Sequence, residues 1–290
     1  MKIPYLHRDV IRKNTLEVIK EYEKRRGKKT EFPIDSGDVF DILFGLETVF
    51  DTNGVLNDID KRIIGCLFPD GHPSPWGRDK QIVVNATKVG EDKIEKTAEG
   101  RLRIRVCSFD PTVFNENFTI AHEGMGHYVH HFLKGITGEK MDRPIYCRSN
   151  DYSPLEWQAN FAAGELTQPF DKVKWILDGK EPPEIIDVEL YGYNYREYFD
   201  ASQAMMETRL CSLGYKLINS RYPWADYSVM EKKKAEKLEK RLKATEEFRK
   251  LNQKAGSAFS GFWGFDSTLF QSRNTFGFAD IADIFGGKKK

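Results

Sequence analysis

The sequence predicts an α+β protein: a small sheet packed against helices, one of them rich in histidine, with a C-terminal helical extension. Three observations carry that expectation. Short apolar runs bounded by turn residues are interspersed with longer segments of helical period. The run Ala121-His122-Glu123-Gly124-Met125-Gly126-His127 has the composition of a metal-holding helix. From Glu231 to Lys254, ten lysines or arginines and five glutamates accompany a narrow apolar seam.

The elements follow in order. Residues 8 to 26 read as an amphipathic helix, with Ile11, Thr15, Val18, Ile19 and Tyr22 on one stripe. Its basic end, Lys24-Arg25-Arg26 before Gly27, suits a helix C-terminus. Asp38 to Phe50 reads as a second, apolar helix. Ile63 to Phe68 and Gln81 to Asn85 read as strands, separated by the turn-rich run Pro69 to Pro75, where His72 is a loop residue. Arg101-Leu102-Arg103-Ile104-Arg105-Val106 alternates with period two, a strand with three arginines on one face. That face is exposed sheet or a dock for an acidic partner. Pro154 to Pro169 reads as a helix closed by proline, with Trp157, Phe161 and Leu166 as core.

Two imidazoles one turn apart hold a metal, and the carboxylate beside the first can deprotonate its bound water. The familiar spacing is His-Glu-x-x-His, whereas this chain reads His122-Glu123-x-x-x-His127. Residues i and i+4 lie ~40° apart around an α-helix, but i and i+5 lie ~140° apart. A π-bulge absorbs one surplus residue and restores a common face, and Gly124 and Gly126 flank the place where it would form. Two other readings stand beside this one. Glu123, His127 and His131, at i, i+4 and i+8, form a different metal face without any bulge. Alternatively, the helix keeps its fold and holds no metal.

A catalytic zinc takes three protein ligands and leaves one position for water. Glu156 and Glu165, both on the helix after Pro154, are the acidic candidates for the third, and spacing alone does not choose between them. There is no GxGxxG, Walker loop or GxSxG, and Cys147 carries no cue marking it as a nucleophile.

Phe118-Thr119-Ile120-Ala121-His122-Glu123 followed by Gly126-His127-Tyr128 and His131 resembles the ImmA/IrrE family of zinc peptidases, whose signature runs F-T-x-A-H-E-L-G-H-Y-x-x-H. The segment from Glu156 through Ala159-Asn160 to Pro169 is similar to that family's E-x-x-A-N-x-F-A-x-E-L-L-M-P. Ala201 to Gly214 is similar to its V-S-x-x-A-M-x-x-R-L-x-x-L-G. The resemblance spans residues 8 to 220 and implies zinc held by His122, His127 and Glu156, with Glu123 as catalytic base. It also implies a protein substrate, such as a helix-turn-helix repressor of a stress or mobile-element programme. No regulator domain is evident in this chain, so that substrate would be met in trans. The dipeptidyl-peptidase III family, with His-Glu-x-x-Gly-His, offers a precedent for the longer spacing. Several positions depart from the family pattern: Asn115-Glu116-Asn117 in place of arginines, Leu166-Thr167-Gln168-Pro169, Ala162 for a large apolar residue, and an insertion between Asn85 and the zinc helix.

The expected organisation is therefore a metallopeptidase-like domain at 1–220, a charged helical extension at 221–255 and an aromatic, glycine-rich tail at 256–290. In the extension Ala235, Leu238, Leu242, Thr245 and Phe248 form a seam for the body or a second copy, with a basic nucleic-acid arm as the weaker reading. The tail reads as a partner-docking or inhibitory segment in which Ala279 to Phe285 could close on the body.

Lysine and arginine total 45 against 44 acids, so global charge predicts neither a nucleic-acid nor a membrane partner. Cys66, Cys107, Cys147 and Cys211 lack CxxC spacing, which argues against a cysteine zinc site and for free thiols in a reducing compartment. Met1 to Arg8 holds no apolar run for a signal peptide, so the expected location is the cytoplasm. Two functions compete: zinc-dependent cleavage of a protein, and a peptidase-like module that binds a partner without cutting it.

Overall fold

The computed structural model describes residues 6–87, 94–96, 102–104, 116–133, 143–148, 153–177, 179 and 184–263, with side chains left out at 94–96, 102–104 and 252–263. It is an α+β fold. Helix α1, Arg8–Arg26, buries the predicted stripe of Ile11, Thr15, Val18, Ile19 and Tyr22. Helix α2, Ser36–Phe44, starts where the Asp35 carboxylate accepts the Asp38 N–H at 3.0 Å.

The expected helix from Asp38 to Phe50 is too long. Gly45, at φ 65°, ends it in the left-handed conformation, and Glu47–Asp51 form strand β1 instead. Thr48, Val49 and Phe50 are β-branched or aromatic and lie parallel to β3, Gln81–Asn85. Tertiary pairing overrides the helical reading there. The Asp51 carboxylate then accepts the N–H groups of Gly54, Val55 and Leu56 at 3.0, 3.2 and 2.7 Å, starting helix α3, Val55–Ile59.

Strand β2, Ile63–Phe68, and β3 occupy the predicted residues. Two short strands, β4 (Ile94–Lys96) and β5 (Leu102–Ile104), pair antiparallel. The arginine face expected over residues 101–106 lies outside the described side chains. With β6, Ile145–Arg148, the main sheet has the order β1-β3-β2-β6, parallel only between β1 and β3. Alternation divides its two faces. Leu67, Ile82 and Val84 join the large core beneath the helices, while Cys66, Phe68 and Val83 pack with Leu56 and the ring of Trp76.

Helix α4, Glu116–Ala121, runs without interruption into a π-helix, His122–Leu133. Asn117 fastens the entry, accepting from the Ser36 N–H at 2.8 Å and donating to the Ile34 carbonyl at 2.7 Å. Helix α5, Pro154–Thr167, packs along the π-helix and buries Phe161 and Leu166, with Trp157 half-buried against the same core. Helices α6 (Phe170–Ile176), α7 (Val188–Phe199) and α8 (Gln203–Leu213) enclose a second cluster with the parallel pair β7 (Ile185–Asp187) and β8 (Lys216–Ile218). Tyr195, Phe199, Met206, Leu210 and Leu217 fill it.

The chain divides into units Met1–Ser228 and Val229–Lys290. Helix α9, Tyr227–Trp263, extends beyond the charged run, and Leu238, Leu242, Phe248 and Leu251 stand exposed along it. The tail segment Ala279 to Phe285 lies outside the described residues. No described helix is long and apolar enough to cross a membrane.

Candidate metal centre

The π-helix answers the spacing problem posed by His122 and His127. Its i→i+5 hydrogen bonding widens each turn, so residues five apart stack on one face. The widening runs through His122–Leu133, longer than the single bulge expected from the sequence. Packing supplies the reason that the glycines are there. A Cβ on Gly126 would lie 2.5 Å from Ala159 Cβ and 2.6 Å from Ala159 Cα, and one on Gly124 would meet the Phe40 ring at 2.4 Å. At both positions a neighbouring element packs too close to the wide coil for a side chain.

The two imidazoles therefore converge. His122 Nε2 and His127 Nε2 are 3.1 Å apart. Glu156, from the first turn of α5, brings Oε2 to 2.9 Å from His122 Nε2 and Oε1 to 3.5 Å from His127 Nε2. Zinc bonds of 2.0–2.2 Å at tetrahedral angles would separate such donor atoms by about 3.3 Å. The observed separations, 2.9 to 3.5 Å, fall on either side of that value, with the two carboxylate oxygens each facing one imidazole, and all three side chains are buried.

Helix α5 aims Glu156 by its own geometry. Ser153 and Glu156 have the S-x-x-E spacing of a capping box, and Ser153 Oγ accepts the Glu156 N–H at 3.3 Å. The Glu156 side chain turns to the histidines instead of the cap. Burial pushes its carboxyl pKa up, but hydrogen bonds from His122 and His127 outweigh that and hold it well below the usual range. Asn160 lies one turn further on the same face, its Oδ1 3.0 Å from His122 Nδ1. That contact fixes the ring with Nε2 facing the other donors. His131 does the same for His127, with the two Nδ1 atoms 3.2 Å apart. Burial, then neighbouring His127 and His130, drives the His131 pKa down to about 2, so it is a neutral ring.

Glu165, the other acidic candidate, is remote from this cluster. Nine residues along an α-helix turn ~900°, which puts it on the side of α5 opposite Glu156. There Arg12 Nε donates to Glu165 Oε1 at 3.1 Å. Arg209 Nη2 lies 2.8 Å from the same oxygen, close enough for a strong charge contact but without hydrogen-bond alignment. Glu165 is a structural counter-ion.

Glu123 is fully buried, and neither carboxylate oxygen has a hydrogen-bond partner among the described residues. Burial, then the charge on Glu156, raises its pKa well above the ordinary value. Its carboxylate occupies room left by Gly65 on β2, where a Cβ would come within 2.9 Å of Glu123 Oε1. On the alternative face of Glu123, His127 and His131, the two imidazoles meet through Nδ1 at 3.2 Å, Glu123 has no hydrogen bond to either ring, and His127 Nε2 faces His122 and Glu156. His130 is held between Asn14 and Gln158 at 3.4 and 3.2 Å, a packed polar residue away from the donors.

A further candidate donor lies beside these residues. Cys147 Sγ approaches Glu156 Oε2 at 4.0 Å, and His122, Cys147 and Glu156 each place a donor atom within 4.8 Å of the others. The absence of CxxC spacing argues against a zinc site built from cysteines, but it reports only ligands sharing one local turn. Cys147 arrives singly from a strand. This donor set shares His122 and Glu156 with the one through His127, whose 3.1 and 3.5 Å separations make it the tighter fit. Asn160, by contrast, was findable at i+4 from Glu156. No family model matches the chain, and no curated protein matches its sequence.

Proposed function

We propose that the chain is a zinc-dependent metalloendopeptidase, with His122, His127 and Glu156 as metal ligands and Glu123 as general base. One observation carries the reading: two Nε2 atoms and a carboxylate converge at ligand separations beside a buried carboxylate with neither oxygen partnered. An unpaired buried carboxylate is costly, and a hydrogen-bonding water held between it and a metal would relieve that cost. The sequence resemblance to ImmA/IrrE peptidases supports the same assignment of ligands and base.

Zinc in this position would supply Lewis acidity to the scissile carbonyl and acidify the attacking water. Glu123 would take a proton from the attacking water and return it to the departing amine. Asn160 and His131 hold the two imidazoles in the tautomer that presents Nε2. The substrate on this reading is a protein met in trans, a helix-turn-helix repressor being the class to which the resemblance points. Cys66 and Cys211 are free thiols, which suits the cytoplasm as the location.

Metal content of the purified full chain tests the proposal. About one zinc per chain is expected, falling at least tenfold in Glu156→Ala at the same free zinc. Absence of zinc from both proteins would reject the peptidase in favour of a metal-free binding module.

A further inference from the structure

We infer that Cys147 is a fourth protein ligand, so that the metal held by His122, His127 and Glu156 rests in a closed site. The inference rests on the metal assignment proposed above and adds to it a residue from a different element.

The sheet register carries the argument. Gly65 on β2 and Cys147 on β6 are direct cross-strand partners. Residues directly opposite in an antiparallel pair project from the same face of the sheet. On that face the missing side chain of Gly65 makes the room that Glu123 fills, because a Cβ there would approach Thr119 Cγ2 at 2.7 Å and Glu123 Oε1 at 2.9 Å. Cys147 therefore projects toward the π-helix at the level of the site. The next partners on the same face, Leu67 and Ile145, pack into the helical core.

The distance to Glu156 agrees with a ligand poised just outside bonding range, and a His122 donor atom lies within 4.8 Å. With a zinc–sulfur bond of ~2.3 Å and a zinc–oxygen bond of ~2.1 Å, tetrahedral angles separate sulfur from oxygen by about 3.6 Å. Cys147 Sγ is 4.0 Å from Glu156 Oε2, so the thiol closes the gap by moving a few tenths of an ångström. Its partly polar setting sets it apart from Cys66, which points to the opposite face among Leu56, Ile63, Phe68 and Val83. Glu123, fully buried with both oxygens unpartnered, independently marks the same pocket as one built around a ligand.

On binding, the S–H bond breaks, a sulfur–metal bond forms and the proton leaves to solvent. Four protein ligands leave no position for water, the arrangement of structural zinc sites. The water placed above between Glu123 and the metal then enters, and hydrolysis proceeds, only once Cys147 withdraws. It lies on β6, one of the two edge strands of the sheet, which among the described residues pairs there with β2.

Cobalt(II) substitution of the full chain reads the ligand set directly, without an activity assay. The wild-type protein should bind one cobalt and show a sulfur-to-cobalt charge-transfer band in the near ultraviolet. Cys147→Ser and Cys147→Ala should still bind cobalt at one per chain, at least tenfold more weakly, and lose that band while keeping their visible d–d absorption. Visible absorption without a charge-transfer band in the wild type overturns the inference and leaves the histidine–glutamate assignment standing. A band that persists in both variants also overturns it, since another thiol would be the ligand. If none of the three proteins binds cobalt, the metal assignment itself fails and Cys147 fails with it. The wild-type spectrum decides the matter even if one variant does not fold.

Discussion

Replacing Glu123 with glutamine is expected to leave zinc at one per chain and to slow peptide-bond hydrolysis by about 10²–10⁴-fold, the span that a positioned general base contributes. The substitution keeps shape and volume and removes only the charge and its basicity. Glu123 is not among the ligand atoms, so metal content should not move. It is fully buried with both oxygens unpartnered, so an amide there meets no lost ion pair and the fold should persist. The measurement pairs elemental analysis with a cleavage assay on proteins captured by the variant. Wild-type protein should cut at least one polypeptide that Glu123→Gln retains whole. Equal cleavage by both would remove Glu123 from the mechanism.

Glu165→Ala should lower folding stability by about 3–5 kcal/mol while leaving zinc binding unchanged below the unfolding midpoint. Arg209 is 4% exposed and stacks over the Phe161 ring, so its charge cannot reach solvent once the carboxylate is gone. Its remaining anchor is the Gln168 carbonyl, which accepts from Nε at 3.0 Å. Arg12, only partly buried, can rehydrate and contributes less to the loss. Denaturant unfolding of the variant, with zinc measured on the folded protein, separates this outcome from that of Glu156→Ala. A stable variant that loses metal would mean the two glutamates have been assigned the wrong way round.

These two glutamates show what the sequence could and could not convey. Both look alike along the chain, and only the half-turn offset around α5 sends one to the histidines and the other to Arg209. The helix stripe from Ile11 to Tyr22 and the strands Ile63–Phe68 and Gln81–Asn85 were legible because local period and burial agree there. Glu47–Asp51 was not, since a parallel partner more than thirty residues away decides its conformation. His122 and His127 were legible as a pair from their residue types, but the extent of the π-helix depends on Phe40 and Ala159 pressing against it. Cys147 was invisible for the same reason: a strand register, not a motif, brings it beside Glu156.

The broad coil between Ala121 and Leu133 also constrains how the motif could be altered. Excising one glycine to regain the shorter His-Glu-x-x-His form looks like a repair on paper. Every residue after the cut would swing by one position around the axis, carrying Tyr128 and Val129 away from their places in the interior. The surplus residue is thus written into the body of the protein as much as into its chemistry, and the two cannot be edited apart.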